Sequence, residues 1–527
     1  MFFGLTLLLC VFIRIRLSDL PLERDEGEYA TAAQILLRGG VPYLDVYNMK
    51  FPGVYYCYAL AFSLFGQSVI VIRALLILVN LVSTFWIIKI ARQIGDKDMA
   101  WLAGSFYLLL SMGRNGQGMI ANTEHFVVAF ALGGVYWMLK SLRQPNPNYF
   151  LLVLSGVCLS FGVLMKQHGS LFVVFAALYA TLRLWGQDRF KTLFRSLASM
   201  ALGCAIPFAV FLTYLIYKGA FHGFLFYAIE YASAYSNNNH FFWGIRKIIA
   251  IQFLWEDNIL LWVLFFVGLI SLFNVSKHIP NRYFLLLFCI CTLMATIPGY
   301  YFRPHYFQLF LPSVSLIAAW FLYYIAPKIQ SPSTNSNSFH YPLSIVHYPL
   351  FQILALLSFS IPNISLIEGH RTKVIEHLYS DLTFSRCREI GEYIHDHTSP
   401  KDTIGIFGAE PEIFFYAQRP PASGYMYHYP LLEPQPFARR MTLQYIQETE
   451  RHHPEIFIHS RISEEDKNPE TSELLNHWME NFEKKDYTPI GVLTDNQAPA
   501  IIWFTKGETI DPNTKPLVAI FKKNKMK

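Results

Sequence analysis

The sequence predicts a polytopic helical membrane protein that carries a small α/β domain at its C-terminal end. Three observations predict it. Hydrophobic residues make up 53% of the 527-residue chain and charged residues only 15%, whereas soluble domains carry about a quarter charged residues. Apolar stretches approaching the length of a bilayer-spanning helix, roughly 20 residues, recur along the first two thirds of the chain. After residue 365 this texture gives way to amphipathic and strand-like segments.

The spans are expected, in order, near 2–17, 69–90, 99–112, 125–140, 149–165, 169–185, 196–217, 255–273, 283–299, 306–326 and 343–362. That is about eleven helices. The first, MFFGLTLLLCVFIRIR, lacks the basic head and small-residue cleavage site of a secretory signal, so it reads as a retained helix whose Arg14 and Arg16 snorkel. Lys89, Arg92 and Lys97, then Lys140 and Arg143, then Arg183, Arg189, Lys191 and Arg195, then Lys277 and Arg282 fall in one alternate set of loops. The positive-inside rule makes that set cytoplasmic, with the polar stretch QSPSTNSNS (330–338) beside it. The loops 18–68, 113–124, 218–254 and 299–305 then lie outside, as does the C-terminal tail.

The membrane part is expected to cover 1–365 and the tail domain 366–527. In the tail, FSRCREIGEYIHDHTSP reads as an amphipathic helix, DTIGIFG as a buried strand and PEIFFYAQ as a short helix. PEIFIHS follows as a strand, 470–484 as a helix, and YTPIGVLTD and AIIWFTK as further strands. Alternation of this kind argues for an α/β domain. The seven cysteines make no disulfide framework and no zinc spacing. The net charge of +6 is spread over loops and leaves no nucleic-acid footprint. An aromatic content of 16% suits interfacial belts and apolar cavities.

The chemistry concentrates in the first outer loop, LERDEGEYATAAQILLRGGVPYLDVYNMKFPGVYY (22–56). Asp25-Glu26-Gly27-Glu28 fits a capping box with Asp25 as N-cap. Tyr29, Ala32, Ala33, Leu36 and Leu37 follow with helical spacing, and Gly39-Gly40 ends the run. A second interfacial helix is expected over 52–65, with Lys50 at its start. Acids at the start of one helix and a lysine at the start of the other make a roofed polar site. The same carboxylates also read as a cap with a solvated face.

The series RDEGEYATAAQILLRGGVPYLDV...MKFPGVYY resembles the first outer loop of GT-C membrane glycosyltransferases, of the protein mannosyltransferase and lipid A aminoarabinose transferase type. Members of that group carry an Asp-Glu pair, a Tyr-Ala a few residues on, then Gly-x-Pro-Tyr (here ending at Tyr43) and Lys-x-Pro. NTEHF (122–126), MKQHG (165–169) and RPHYFQLFLP (303–312) stand where further family-like motifs would, and DTIGIFGAEPEIFFYAQRPPASGYMY resembles the extracytoplasmic domain of some bacterial members. The resemblance implies a GT-C fold in a bacterial inner or plasma membrane, with the site and tail domain outside the cytoplasm. It implies transfer of a sugar from a polyprenyl-phosphate donor to a lipid A or other glycolipid, a glycan or a protein, by inverting displacement.

That reaction needs a base for the acceptor hydroxyl and cations for the departing phosphate. The family pattern assigns the base to Asp25 and a second acidic position to Glu124, which would hold the acceptor or a metal. Lys50, Lys166, Arg303 and His305 are the candidates for the donor phosphate, the last two at the start of a helix whose N–H groups favour anions. Each cation also reads as a snorkelling or interfacial anchor. Glu26, Glu28, His168 and Tyr43 are supporting candidates. Glu230 and the SNNNH run (236–240) fall in the long outer loop, and His452, His453 and the acidic run 463–466 read as solvated tail surface. No cofactor is demanded; carboxylates and histidines facing one compartment suit a divalent metal, but no spacing requires one. The competing class is a transporter or flippase of lipid-linked sugars, which midplane charges and paired broken helices would mark. Here the ionisable residues cluster at one face instead.

Overall fold

A computed structural model describes residues 2–185, 190–237, 242, 244, 255–274, 281–324, 344–369, 371–379, 383–460, 468–494, 500–505, 508, 510 and 516–524. The stretch 330–338, residues 238–240 of the SNNNH run, the acidic run 463–466, and Arg189 and Lys277 lie outside the described residues. Helix α1 (Phe2–Arg16) leads into the two helices of the first loop, α2 (Arg24–Leu37) and α3 (Gly53–Phe65). Then come α4 (Val69–Ile94), α5 (Lys97–Leu110), α6 (Thr123–Leu142), α7 (Tyr149–Met165), α8 (Ser170–Leu184) and α9 (Phe190–Tyr217). Helices Ile259–Asn274, Arg282–Met294, Leu311–Tyr324 and Ser344–Ser360 complete the bundle. Each expected span therefore holds a helix. Among the described residues, α4, α6 and α9 are long and apolar enough to cross a membrane by themselves; the other apolar helices are shorter.

Small residues let these helices approach closely, as packing between helices in lipid requires. Gly156 of α7 and Gly203 of α9 meet backbone to backbone, each in the space where the other's Cβ would stand. Ser155 Oγ donates to the Gly134 carbonyl of α6 (2.7 Å), and Ser160 Oγ donates to the Cys204 carbonyl of α9 (2.8 Å). Arg14 departs from expectation. It is buried and donates to the Ser111 carbonyl (3.0 Å) where α1 packs on α5, so it satisfies the end of α5 rather than snorkelling. Arg16 does reach outward, to the Glu368 carbonyl (2.5 Å).

The C-terminal part builds a five-stranded mixed sheet in the order β1-β2-β5-β3-β4. The strands are β1 (Ile404–Phe407), β2 (Ile456–Ser460), β3 (Tyr487–Leu493), β4 (Ile501–Trp503) and β5 (Val518–Lys523). Only β1 and β2 pair in parallel, because the chain between them crosses over through helix Ala438–His452. The remaining pairs are antiparallel. Helices Thr383–His397, Glu412–Ala417 and Pro469–Asp486 stand where the sequence predicts them. Helix Ala438–His452 and strand β5 do not follow from that reading.

This part lies along α2. Arg24, Gly27, Thr31, Gln34 and Arg38, spaced three and four apart, share one face of that helix. Arg24 Nε donates to the Ala409 carbonyl (2.6 Å), Thr31 Oγ1 to Pro411 (3.0 Å), Gln34 Nε2 to Phe415 (3.2 Å) and Arg38 Nη2 to Gln418 (2.9 Å). A Cβ at Gly27 would stand 2.5 Å from both the backbone nitrogen and the Cβ of Glu412. Gly27→Val is therefore expected to destabilise the protein by about 1–3 kcal/mol through overpacking. The check is the midpoint of thermal unfolding in detergent, and an unchanged midpoint would show that α2 does not need this close seat.

Candidate active site

Helix α2 is built so that its start faces a cavity. Its N-cap is Glu23, whose carboxylate accepts from Asp25 N (2.8 Å), while Glu26 Oε2 accepts from Glu23 N (3.3 Å) to close the box. The expected box on Asp25 and Glu28 is therefore displaced by two residues. The cause is Lys50, which draws both of those carboxylates away from the backbone: its Nζ lies 3.1 Å from Asp25 Oδ1 and 2.9 Å from Glu28 Oε2. At the far end, Gly39 at φ 93° lets Gly39 N bond to Leu36 O and Gly40 N to Ile35 O, both at 3.0 Å, a Schellman closure.

The cavity measures about 180 Å³. Asp25, Lys50, Lys166, Arg303 and His305 all line it, so segments far apart in sequence meet there. Glu23, Arg24, Gln117, Tyr235, Tyr306 and, from the tail, Tyr427, Tyr429 and Glu433 line it as well. The other expected residues stand behind this wall. Glu28 is fully buried and accepts from Lys50, from Asn48 Nδ2 (2.7 Å) and from the Tyr55 hydroxyl. Glu124, at the start of α6, is buried against Lys166 Nζ (2.5 Å), which also sits 4.2 Å over the Tyr306 ring. His168 bonds to the Ala295 carbonyl (2.9 Å) and packs edge-on to Tyr306. Tyr43 donates to the Lys50 carbonyl (3.0 Å) and so holds that lysine's backbone.

Glu26 points elsewhere. It is buried, paired with Arg73 of α4, and accepts from Ala121 N (2.6 Å), which ties α2 to the loop before α6. Glu230 is exposed on a π-helical turn (Leu225–Tyr231), and His452 and His453 do not line the cavity. The segment carrying Arg303 and His305 also differs from expectation. It is a short 3₁₀ helix, Pro304–Leu309, and the long helix begins only at Leu311, so no long-helix N-terminus faces an anion there.

Electrostatics separate the carboxylates around Lys50. Burial raises the Asp25 carboxyl, but Lys50, His305, Arg303 and Lys166 together outweigh it and hold the group well below the usual carboxylate range. Burial wins at Glu28, which is raised despite Lys50. Burial with the Asp25 charge beside it pushes Glu23 up to about 8. Of the three carboxyls, Asp25 alone is shifted toward its ionised form. Burial pushes His305 down to about 4. Its Nδ1 lies 2.8 Å from Gln117 Oε1, an oxygen that also accepts from Asn122 Nδ2 (3.3 Å), so Nδ1 carries the proton. Gln117 takes a left-handed backbone (φ 53°) to present that oxygen.

The cations differ in how much of their charge is already matched. Lys50 pairs with two carboxylates and Lys166 with Glu124, whereas Arg303 has no carboxylate within 4.0 Å among the described residues. Arg303 rests instead 5.6 Å from the Tyr301 ring centroid, and Tyr301 stacks on Tyr235 at 4.5 Å. No group of three or more His, Cys, Asp or Glu side chains among the described residues is disposed to hold a metal ion. Sequence reasoning missed Tyr427, Tyr429 and Glu433, although the run GYMYHYP that carries the two tyrosines is conspicuous in a polar loop.

The sequence model of the dolichyl-phosphate-mannose-protein mannosyltransferase family matches residues 49–217. A comparison with curated protein sequences returns no match. Among solved structures, ArnT from Cupriavidus metallidurans bound to undecaprenyl phosphate is 16% identical, with a TM-score of 0.59 over 90% of this chain and 94% of that one. The oligosaccharyltransferase of Archaeoglobus fulgidus tethered to an acceptor peptide is 13% identical, with a TM-score of 0.50 over 98% of this chain and 75% of that one. The arabinofuranosyltransferase AftD from Mycobacteria matches at 13% identity and a TM-score of 0.50, covering 99% of this chain and 41% of that one. The resemblance to GT-C membrane glycosyltransferases drawn from the sequence is thus borne out: the chain has their fold, mostly helical with a small mixed sheet at its C-terminal end.

Proposed function

We propose that the chain is a membrane glycosyltransferase that moves a sugar from a polyprenyl-phosphate donor to an acceptor hydroxyl at the outer face of a bacterial plasma membrane. The observation that carries the reading is the Asp25 carboxylate, held toward its ionised form and facing a cavity together with the cations Arg24, Lys50, Lys166 and Arg303. Asp25 accepts the proton of the acceptor hydroxyl as its oxygen attacks the anomeric carbon from the side opposite the carrier. The bond to the phosphate oxygen breaks with its electron pair, so the anomeric configuration inverts. The growing negative charge on the phosphate meets Arg303 first, then Lys166 and Lys50, whose charges are partly matched already. Glu124 holds Lys166 in place for this. The acceptor belongs to the class of lipid-linked glycans, lipid A included, or protein hydroxyls, and the tail domain borders the side from which it arrives.

A weak base suffices when the hydroxyl proton departs late, and a low pKa keeps Asp25 ionised. Activity needs the ionised form, so it is present above the Asp25 pKa and lost as pH falls through it. The acid limb of kcat/KM is therefore expected below about 3.9, the ordinary aspartate value. A limb near pH 6 in a pH–rate series would assign the base to another group.

The direct test uses the purified full chain in nanodiscs with a panel of undecaprenyl-phosphate-linked hexoses and pentoses. Release of undecaprenyl phosphate from one donor, with the label transferred to an added lipid or peptide acceptor, is the expected result. Binding of undecaprenyl phosphate without turnover of any donor would argue for transport instead.

A further inference from the structure

The tail does more than lie along α2. Between β1 and helix Ala438–His452, its chain runs into the cavity and places the Tyr427 hydroxyl 3.2 Å from Asp25 Oδ1, 3.2 Å from Glu28 Oε2 and 3.3 Å from the Arg24 carbonyl. The ionised Asp25 carboxylate is the strongest of these acceptors for its single proton. The two carboxylate oxygens are the same ones that receive Lys50. Tyr427 and Lys50 thus converge on a single oxygen of Asp25, and among the described residues no donor reaches Oδ2. The Asp25 side chain keeps 24% of its surface exposed, on a residue that lines the cavity. A carboxylate rotates about its last bond unless both its faces are held. With one oxygen fixed by two donors from opposite elements, the other has a defined direction.

The neighbouring contacts hold the tyrosine itself. Tyr429 accepts from Arg24 Nη1 (2.8 Å), the same Arg24 whose Nε grips Ala409. Further back along the segment, Tyr47 N donates to the Gly424 carbonyl (2.9 Å), and the Tyr47 hydroxyl donates to Glu448 (2.8 Å). The segment is pinned on both sides of Tyr427 to the loop that carries the base.

We infer that Tyr427 is a positioning residue supplied by the tail domain: with Lys50 it fixes Asp25 Oδ1, so that Oδ2 is the oxygen that takes the acceptor's proton. The inference rests on the reading of Asp25 as base and deepens it. The tail domain is then part of the reactive site rather than only a platform beside it.

The test is Tyr427→Phe, which keeps the ring and removes the hydroxyl, assayed in the full chain with the undecaprenyl-phosphate sugar that the wild type turns over. The expected result is a kcat lowered about 10- to 100-fold, in the range that misplacement of a reacting group costs. The donor KM and the melting midpoint stay as in the wild type. Because the effect passes through Asp25, adding Tyr427→Phe to Asp25→Asn should cause no further loss of the residual rate. A Tyr427→Phe enzyme with normal kcat overturns the inference while leaving the base standing. So does a loss that multiplies in full with that of Asp25→Asn. Should Asp25→Asn alone retain the normal rate, the base assignment fails, and the positioning role falls with it.

Discussion

Purified Asp25→Asn protein is expected to bind undecaprenyl phosphate as the wild type does, yet to transfer sugar about 10²- to 10⁴-fold more slowly, the usual worth of a positioned general base. Asparagine keeps the shape of the side chain and an oxygen for Lys50 but does not take up a proton. The fold should survive, because Lys50 remains paired with Glu28 and hydrogen-bonded to the Tyr29 hydroxyl (3.1 Å). The α2 cap is unaffected, since it is made by Glu23 and Glu26. Single-turnover rates alongside carrier affinity separate the two quantities. A normal rate in this variant would remove Asp25 from the reaction.

Arg303→Met is the second large effect, an expected fall in kcat/KM of about 10²- to 10³-fold, comparable to removing one donor from a charge-stabilising site. Arg303 is the informative cation to remove because it leaves no buried carboxylate behind. Lys166→Met would strand fully buried Glu124, and Lys50→Met would strand Glu28, so both would mix loss of chemistry with loss of fold. Arg303→Lys should recover part of the rate, since a lysine supplies charge without the planar fork that grips a phosphate. An Arg303→Met enzyme with wild-type kcat/KM would place the phosphate elsewhere.

What the sequence revealed and what it hid follow one division. Apolar run length and periodicity are local, and they located the apolar helices, the helix that follows Lys50 and most of the tail's strands. The start of α2 was misplaced because Asp25-x-x-Glu28 satisfies the capping rule, whereas Glu23, which makes the cap, is not one of the usual N-cap residues. The shift is made by Lys50, 25 residues from Asp25, which competes for Asp25 and Glu28. Arg73 was a readable signal, a lone cation inside VIVIRALLI, whose burial demanded the partner it finds in Glu26. Strand β5 was hidden because VAIFKK ends in two lysines and continues into the basic run KKNKMK, so it reads as a charged tail. Its place between β2 and β3 comes from pairing partners and not from its own pattern. Tyr427 was beyond local reading altogether: it meets Asp25 across 402 residues of chain.

The flat contact at Gly27 bears on how such enzymes can be recombined. A tail grafted from a relative must present, opposite the face formed by Arg24, Gly27, Thr31, Gln34 and Arg38, a backbone that comes as near as that of Glu412 does here. It must also offer carbonyls where Ala409, Pro411, Phe415 and Gln418 offer theirs. The natural cut for a chimera is therefore not simply the junction between bundle and tail. Helix α2 has to travel with the tail it supports, so an exchange of the tail moves two pieces of sequence that lie more than 350 residues apart in the chain.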